Sequence, residues 1–160
     1  MGLIPNNIEK IKTSQYLRFI DTTPTSTPTW KVVGIGVEEM STDYSPQVDT
    51  IKWIIEDSAR NDHTSNQKQS SVTQKCYKND PCFTFINAGR DKLNYVTHIL
   101  EVDTWSANNG SYVGKMSDGL IAVTSYSGDE IEYDLYFDGD PTEGSVSIND
   151  GVPTFSANSL

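Results

Sequence analysis

The clearest pattern along the chain is a strict alternation of apolar and polar residues between Glu130 and Asp138. Successive side chains of a strand point to opposite faces, so this alternation predicts a strand with two unlike sides. The apolar side carries Ile131, Tyr133, Leu135 and Phe137. The other side carries one tyrosine and four carboxylates, which belong to Glu130, Glu132, Asp134 and Asp138. We expect the apolar side to lie in the core and the acidic side to lie outside it.

Strand-like segments fill most of the chain and predict a mainly β fold, a β-sandwich or barrel. Before residue 80 the predicted strands are Trp30–Val37, Val48–Asp57 and Val72–Tyr77. After residue 95 they form a meander of Val96–Trp105, Tyr112–Met116, Leu120–Tyr126, Glu130–Phe137, Ser145–Ile148 and Val152–Ala157. Polar and glycine-containing segments at 108–110, 118–119, 127–129 and 139–144 predict the turns between them.

A polar segment of twelve residues, Arg60 to Ser71, separates two of these strands and contains no large apolar side chain. The pattern predicts a long β-hairpin with a polar tip, in which Ile51, Trp53 and Ile55 share one face of the first strand. Loops of this length are uncommon in compact domains unless they are functional. The candidate contact residues in this loop are Arg60, Asn61, Asp62, His63, Asn66 and Lys68.

One short flanking α-helix is predicted after residue 80. Asn79 or Asp80 can cap its start, Pro81 suits the first helical position, and Gly89 marks its end. The apolar residues on this helix are Phe83, Phe85 and Ile86.

The first 29 residues are predicted to lie outside the main domain. Residues 1–20 have scattered apolar positions without a helical stripe, and residues 22–29 are all Thr, Ser or Pro, a composition typical of an extended connector. The predicted organisation is therefore an extended N-terminal arm and connector, 1–29, followed by one β domain, 30–160.

Composition and charge exclude several functional classes. The chain carries 22 acidic and 12 basic residues, for a net charge of −10. Residues 116–160 contain nine carboxylates and no Lys or Arg, so this segment should repel the phosphates of nucleic acid. No apolar run approaches the roughly 20 residues of a membrane span, and residues 1–20 lack the pattern of a secretory signal. Cys76 and Cys82 match neither a disulfide framework nor a CxxC site, which favours two free thiols.

No catalytic or cofactor motif is present, so we predict a protein that is not an enzyme and needs no cofactor. His63 and His98 are 35 residues apart and lack metal-ligand spacing. Asp138-Gly139-Asp140 departs from the EF-hand pattern, which favours a solvated acidic turn over a calcium site. An alternative function is a binding module for carbohydrate or a host surface, in which Trp30, Trp53 and Trp105 would form a stacking platform.

The order of these segments resembles the tail tube (major tail) proteins of long-tailed bacteriophages that infect Gram-positive bacteria. The resemblance covers most of the chain from Trp30 onward. It is carried by the opening strand 30–34, the hairpin from about Asp49 to Tyr77, the entry into the helix at 77–83, and the closing segments 133–139 and 151–155 with Gly144.

This resemblance implies a structural virion protein. Six copies would form a ring, and stacked rings would form a hollow tube that conducts the DNA genome during ejection. The implied partners are further copies of the chain, other tail proteins such as the tape measure and tail terminator, and duplex DNA in transient, non-specific passage, without insertion into a membrane. The protein would be assembled in the cytoplasm of the host bacterium and would reside in the tail. The polar loop and terminal arm would bridge to neighbouring subunits or rings.

The size of such a tube is compatible with DNA passage. Six subunits with four strands each, spaced about 4.8 Å apart and tilted by roughly 40°, give a backbone diameter near 48 Å and a bore of around 40 Å. An acidic wall would let the phosphates pass without binding them. We therefore predict that Glu130, Glu132, Asp134 and Asp138 face the lumen.

Overall fold

A computed structural model describes residues 2–159, and this part of the chain is mainly β with a single short helix. A 3₁₀ turn at Thr13–Gln15 precedes the first strand. The strands are β1 (Tyr16–Asp21), β2 (Trp30–Val32), β3 (Val37–Asp43), β4 (Gln47–Ile51), β5 (Arg60–Ser65), β6 (Gln69–Lys75), β7 (Tyr95–Asn108), β8 (Ser111–Tyr126), β9 (Glu130–Asn149) and β10 (Val152–Ala157). The helix, α1, spans Pro81–Ala88.

Eight strands form one antiparallel sheet that curls into a half-barrel. Their order is β2-β1-β7-β8-β9-β6-β3, with β10 paired to the second half of β9. Strands β4 and β5 form a separate two-stranded sheet. This architecture confirms the predicted β-sandwich or barrel with one flanking helix.

Two hydrophobic cores lie on opposite faces of this sheet. The first core contains Ile20, Ile99, the helix residues Cys82 and Ile86, and the four apolar residues of the β9 alternation. The second core is built around Phe19, Leu100, Val102 and Val146. Neighbouring residues of a strand point to opposite faces, so β1 and β7 are covered on both sides. The apolar side of β9 is buried as predicted, since Ile131 and Leu135 are fully enclosed.

The helix begins and ends as predicted. Asp80 is the N-cap, and its side chain accepts a hydrogen bond from the backbone N–H of Cys82 at 3.2 Å. Pro81 occupies the first helical position, and Gly89 is the C-cap. Cys82 and Ile86 are the buried residues of the helix.

The predicted boundary at Trp30 requires correction. Strand β1 lies between β2 and β7, and its residues 18–21 are buried, so it is part of the main sheet. Residues 22–29 form the turn from β1 to β2. The buried carboxylate of Asp21 holds this turn by accepting hydrogen bonds from the backbone N–H groups of Thr23 (2.9 Å) and Thr29 (3.0 Å). Only residues 2–12, before the 3₁₀ turn, remain as an exposed tail.

Two of the predicted turns are interior parts of long strands. Strand β8 continues through Asp118 and Gly119, and β9 continues through residues 139–144. Gly119 is needed for close packing, because a Cβ at this position would lie 2.6 Å from Ile99 Cδ1. Residues 139–141 form a bulge opposite Ser117, which shifts the register between the Met116–Thr142 and Asp118–Asp138 pairs.

The hairpin is longer than predicted, and its tip is in a different place. The strand predicted over Trp30–Val37 is interrupted after Val32, and the outgoing side consists of β3 and β4. The strand predicted over Val48–Asp57 ends at Ile51, whereas β5 and β6 occupy most of the segment that was predicted as a loop. The tip is therefore residues 52–59. Polar residues form strand β5 because both of its faces are exposed, so its residues need no apolar alternation.

Candidate assembly surfaces

The first candidate surface is the acidic row, defined as Glu130, Glu132, Asp134 and Asp138. It lies on the side of β9 opposite the first core, where the first three residues are half-buried and Asp138 is exposed. Lys75 on β6 is the cross-strand partner of Glu130 and forms an ion pair with it. Ser71 on β6 donates a hydrogen bond of 2.8 Å to Asp134 Oδ1. Strand β6 therefore neutralises one end of the row and leaves the rest acidic.

Strands β8 and β7 extend this negative face. Asp118 lies opposite Asp138 in the ladder, and His98 lies opposite Asp118, so the three side chains share one face. Asp118 is 78% exposed, and its Oδ1 lies 3.5 Å from His98 Nε2. The Nδ1 atom of His98 lies 2.9 Å from the buried carboxylate of Asp21. The four carboxylates of the acidic row and Asp118 form one open acidic face, and their basic neighbours are Lys75 and His98. This excess of negative charge repels polyanions.

The second candidate surface is the hairpin arm, defined as β4, β5 and the tip at 52–59. Every residue of β4 and β5 is exposed, so no core supports either face of the arm. At the tip, Trp53, Ile54 and Ile55 expose 52%, 101% and 84% of their surface. A contiguous exposed apolar group of this kind is typical of an interaction site.

Arg60 gives this tip local order. Its guanidinium lies 4.6 Å from the centre of the Trp53 ring, and its Nε donates to Glu56 at 2.8 Å. Both contacts are solvent-exposed, so they contribute modestly to stability. They orient Trp53 at the tip and leave the two isoleucines free for contacts with another molecule.

The predicted contact residues lie on this arm and at its base, but not at the tip. Arg60, Asn61, Asp62 and His63 belong to β5, and Asn66 belongs to the connector between β5 and β6. His63 Nε2 and Asn66 Oδ1 are 2.6 Å apart. Lys68 turns inward, where its Nζ lies 2.5 Å from Glu101 Oε1 and 4.4 Å from the centre of the Phe137 ring.

Sequence reasoning missed Trp53, Ile54 and Ile55 as the exposed group. A usable signal was present, because three consecutive large apolar residues interrupt the alternation expected of a strand with one buried face. Such a run is apolar on both faces, which fits a loop tip that another molecule covers.

A buried polar cluster joins the base of the hairpin to the main sheet. Arg18 Nη1 donates to Ser70 Oγ at 2.7 Å, and Nη2 donates to Tyr16 OH at 2.9 Å and to Thr42 Oγ1 at 2.5 Å. Tyr16 in turn donates to Glu101 Oε2 at 2.6 Å. Burial is the main cause that raises the pKa of the Tyr16 hydroxyl above its usual value, so this group stays protonated and remains a donor. The cluster therefore fixes the start of the arm relative to β1 and β7.

The structure gives less support to a stacking platform of tryptophans or to a metal site. Trp30 packs against the second core, whereas Trp53 and Trp105 are exposed on separate elements. Within residues 2–159, no three His, Cys, Asp or Glu side chains converge as metal ligands. The helix in this range is also too short to cross a membrane.

Comparison of the sequence with models of known protein families and with curated protein sequences found no match. The case for a function therefore rests on the geometry of the open acidic face and the hairpin arm.

Proposed function

We propose that this chain is a structural subunit of a phage tail tube, in which copies associate into hexameric rings and the rings stack into a tube. The observation that carries the proposal is the hairpin arm, which leaves the domain without a core of its own and ends in three exposed large apolar residues. An isolated two-stranded hairpin is marginally stable in water, so contact with a second copy would also stabilise the arm.

The expected strength of one tip contact indicates that stable association needs more than one contact per copy. Burial of three large apolar side chains contributes roughly 5–9 kcal/mol at most. Loss of translational and rotational freedom on association costs about 4–15 kcal/mol. A single tip contact is therefore weak, and stable association requires each copy to make several contacts. Head-to-tail contacts that close into a ring satisfy this requirement.

In this assembly the acidic row would line the lumen. The second core occupies one part of this face of the sheet. The part that carries the acidic row has no core packed over it. A wall of carboxylates repels DNA phosphates, which favours passage over retention. The other partners would be the tail proteins at the ends and in the interior of the tube, and the protein would reside in the virion after assembly in the host cytoplasm.

The proposal is tested by electron microscopy and sedimentation velocity of the full chain over a range of concentrations. Wild-type protein should form rings or tubes, and Trp53→Ser/Ile54→Ser/Ile55→Ser should remain monomeric or form unstacked rings with unchanged thermal unfolding. The matched control is Leu93→Ser/Val113→Ser/Val152→Ser, which removes three exposed apolar residues outside the arm and should still assemble. A wild-type protein that stays monomeric at all concentrations would contradict the proposal, and glycan binding by those monomers would favour a surface-binding module.

A further inference from the structure

The curled sheet leaves an open groove where its two end strands fail to meet. The groove has a volume of about 700 Å³ and lies between the start of β1 and the edge strand β3, and it is also lined by Thr13 and Ser14 before β1 and by Val32 of β2. We call it the seam groove and define it by Leu17, Val32, Val37, Glu38, Glu39 and Met40. Strand β2 pairs with β1 only at Phe19–Asp21, so the described chain provides no strand beside Leu17 on this side.

The two strands on either side of the groove, β1 and β3, are linked by a side chain and not by backbone hydrogen bonds. The guanidinium of Arg18 on β1 reaches Thr42 Oγ1 on β3 at 2.5 Å. Among the described residues no backbone hydrogen bond connects β1 with β3. This side-chain bond links β1 to β3, and the backbone edges on either side of the groove remain open to another segment.

The chemistry of the groove is apolar with an acidic rim. Leu17, Val32, Val37 and Met40 supply the apolar surface. Glu38 and Glu39 are exposed on the rim, and within the described part of the chain neither carboxylate forms an ion pair. An occupant should therefore carry both large apolar side chains and positive charge.

The N-terminal tail, residues 2–12, has this composition. Its four large apolar residues, Leu3, Ile4, Ile8 and Ile11, are 50–102% exposed. Lys10 and Lys12 flank Ile11 and outnumber the one acidic residue of the tail, Glu9. The tail and the groove are thus both uncovered in a single chain, and their charges are opposite.

The tail of the same chain begins beside its own groove but does not fill it, because Thr13 and Ser14 of the adjoining turn line the groove and none of residues 2–12 does. The turn at Thr13–Gln15 is closed by hydrogen bonds from the Lys12 N–H to Gln15 Oε1 (2.8 Å) and from the Gln15 N–H to the Lys12 carbonyl (2.9 Å). Thr104 on β7 donates to the Gln15 carbonyl at 3.1 Å, and β7 flanks β1 on the side opposite β2. In this arrangement residues 2–12 of the same chain leave the groove unoccupied.

We propose that the seam groove of one subunit binds residues 8–12 from the tail of a second copy. Ile8 and Ile11 would cover the apolar surface, and Lys10 and Lys12 would pair with Glu38 and Glu39. This inference specifies one contact of the assembly proposed above and rests on that proposal for its biological role.

The test uses two charge-reversed forms of the full chain, which are studied separately and as an equimolar mixture. Lys10→Glu/Lys12→Glu reverses the tail, and Glu38→Lys/Glu39→Lys reverses the groove. Each variant alone presents like charges at the contact, and we expect at least tenfold weaker self-association by sedimentation velocity. In the mixture every tail meets a groove of opposite charge, so association should return to the wild-type level. Lys78→Glu/Lys92→Glu, on the loops beside α1, is the control for net charge and should associate like wild type.

Ile8→Ser/Ile11→Ser gives an independent test of the apolar part, and it should also weaken association tenfold. The proposal is overturned if mixing gives no recovery, which includes the case in which each tail occupies its own groove. If all variants still form wild-type tubes, the groove contact is wrong while the tube function stands. If mixing restores association but wild-type protein forms only small oligomers, the groove contact stands and the tube function fails.

Discussion

At the scale of single residues, the interior of the domain contains a polar cluster around Gln74. Its amide Nε2 donates to Asp80 Oδ2 at 2.8 Å and to the Ile35 carbonyl at 3.0 Å, and its Oε1 accepts from Tyr133 OH at 2.9 Å. These bonds tie the N-terminus of α1 to β6 and β9. Cys82 Sγ lies beside the cluster, 3.8 Å from both Gln74 Oε1 and Tyr133 OH.

Burial gives Cys82 a measurable effect on stability at alkaline pH. Desolvation is the main cause that raises the pKa of its thiol to about 12, so the folded state favours the neutral form. The unfolded chain releases this proton near the ordinary thiol pKa, so the unfolded state gains stability as pH rises above that value. We expect the free energy of unfolding to fall by roughly 1 kcal/mol per pH unit above about pH 9 from this residue alone.

Chemical denaturation between pH 7 and 10 would measure this effect. Cys82→Ala should have a lower stability at neutral pH because of lost packing, but a flatter decline above pH 8.5 than wild type. Cys76→Ala is the comparison, because burial also raises the pKa of the Cys76 thiol, but this thiol is only partly buried and lies outside the cluster, so its removal should flatten the decline less. Parallel slopes for wild type and Cys82→Ala would show that the buried thiol does not control the alkaline limit. In native protein at pH 8, a thiol reagent should modify Cys76 and spare Cys82.

At the scale of elements, the sequence predicts correctly those helices and strands whose structure depends on residues close together in the chain. Asp80-Pro81 and Gly89 set the ends of α1, and the alternation from Glu130 to Asp138 identified the buried face of β9. Strand β1 was missed because its interior includes Arg18, whose burial depends on Ser70 and Thr42, residues that are distant in sequence. The hairpin tip was missed because its apolar residues contact no core.

The glycines of β8 and β9 show why two turns were predicted wrongly. Gly144 lies inside β9, where a Cβ would lie 2.2 Å from the Ser156 carbonyl oxygen and 2.7 Å from the Phe155 ring. It permits β10 to lie close to β9 over the second core, a role that requires distant residues and cannot be read from local sequence. Glycine therefore marks close packing here and not a change of direction.

Gly144→Ala should move β10 away from β9 and destabilise the domain. The nearest obstacle is a backbone oxygen, which a side-chain rotation cannot relieve. We expect a loss of about 1–3 kcal/mol, which corresponds to a decrease in Tm of several degrees for a chain of this size. Gly34→Ala is the matched control, since its Cβ would meet only Val32 Cγ2 at 3.7 Å and should change Tm by about 1 °C or less. Equal Tm values for the two variants would disprove the packing role of Gly144.

At the scale of the whole molecule, the distribution of charge connects the fold with the proposed assembly. Each chain has a net charge of −10, so a ring of six copies carries a formal charge of −60. The sequence was sufficient to find the acidic row, because a single strand contains it. It could not show that Lys75 neutralises Glu130 or that Asp118 extends the face, because both relations depend on the pairing of β9 with other strands.

Repulsion between copies should make assembly sensitive to salt. The Debye length falls from about 30 Å at 0.01 M to about 8 Å at 0.15 M salt, so the critical concentration for assembly should decrease over this range. If the acidic row converges on a lumen, Glu132→Gln/Asp134→Asn should flatten this dependence more than Asp91→Asn/Asp150→Asn, which removes the same charge from exposed loops. Light scattering over a salt series would give, for each variant, the change in critical concentration with salt. If the two variants show the same salt dependence, the acidic row does not lie close to other copies, and a lumen lined by β9 loses its electrostatic support.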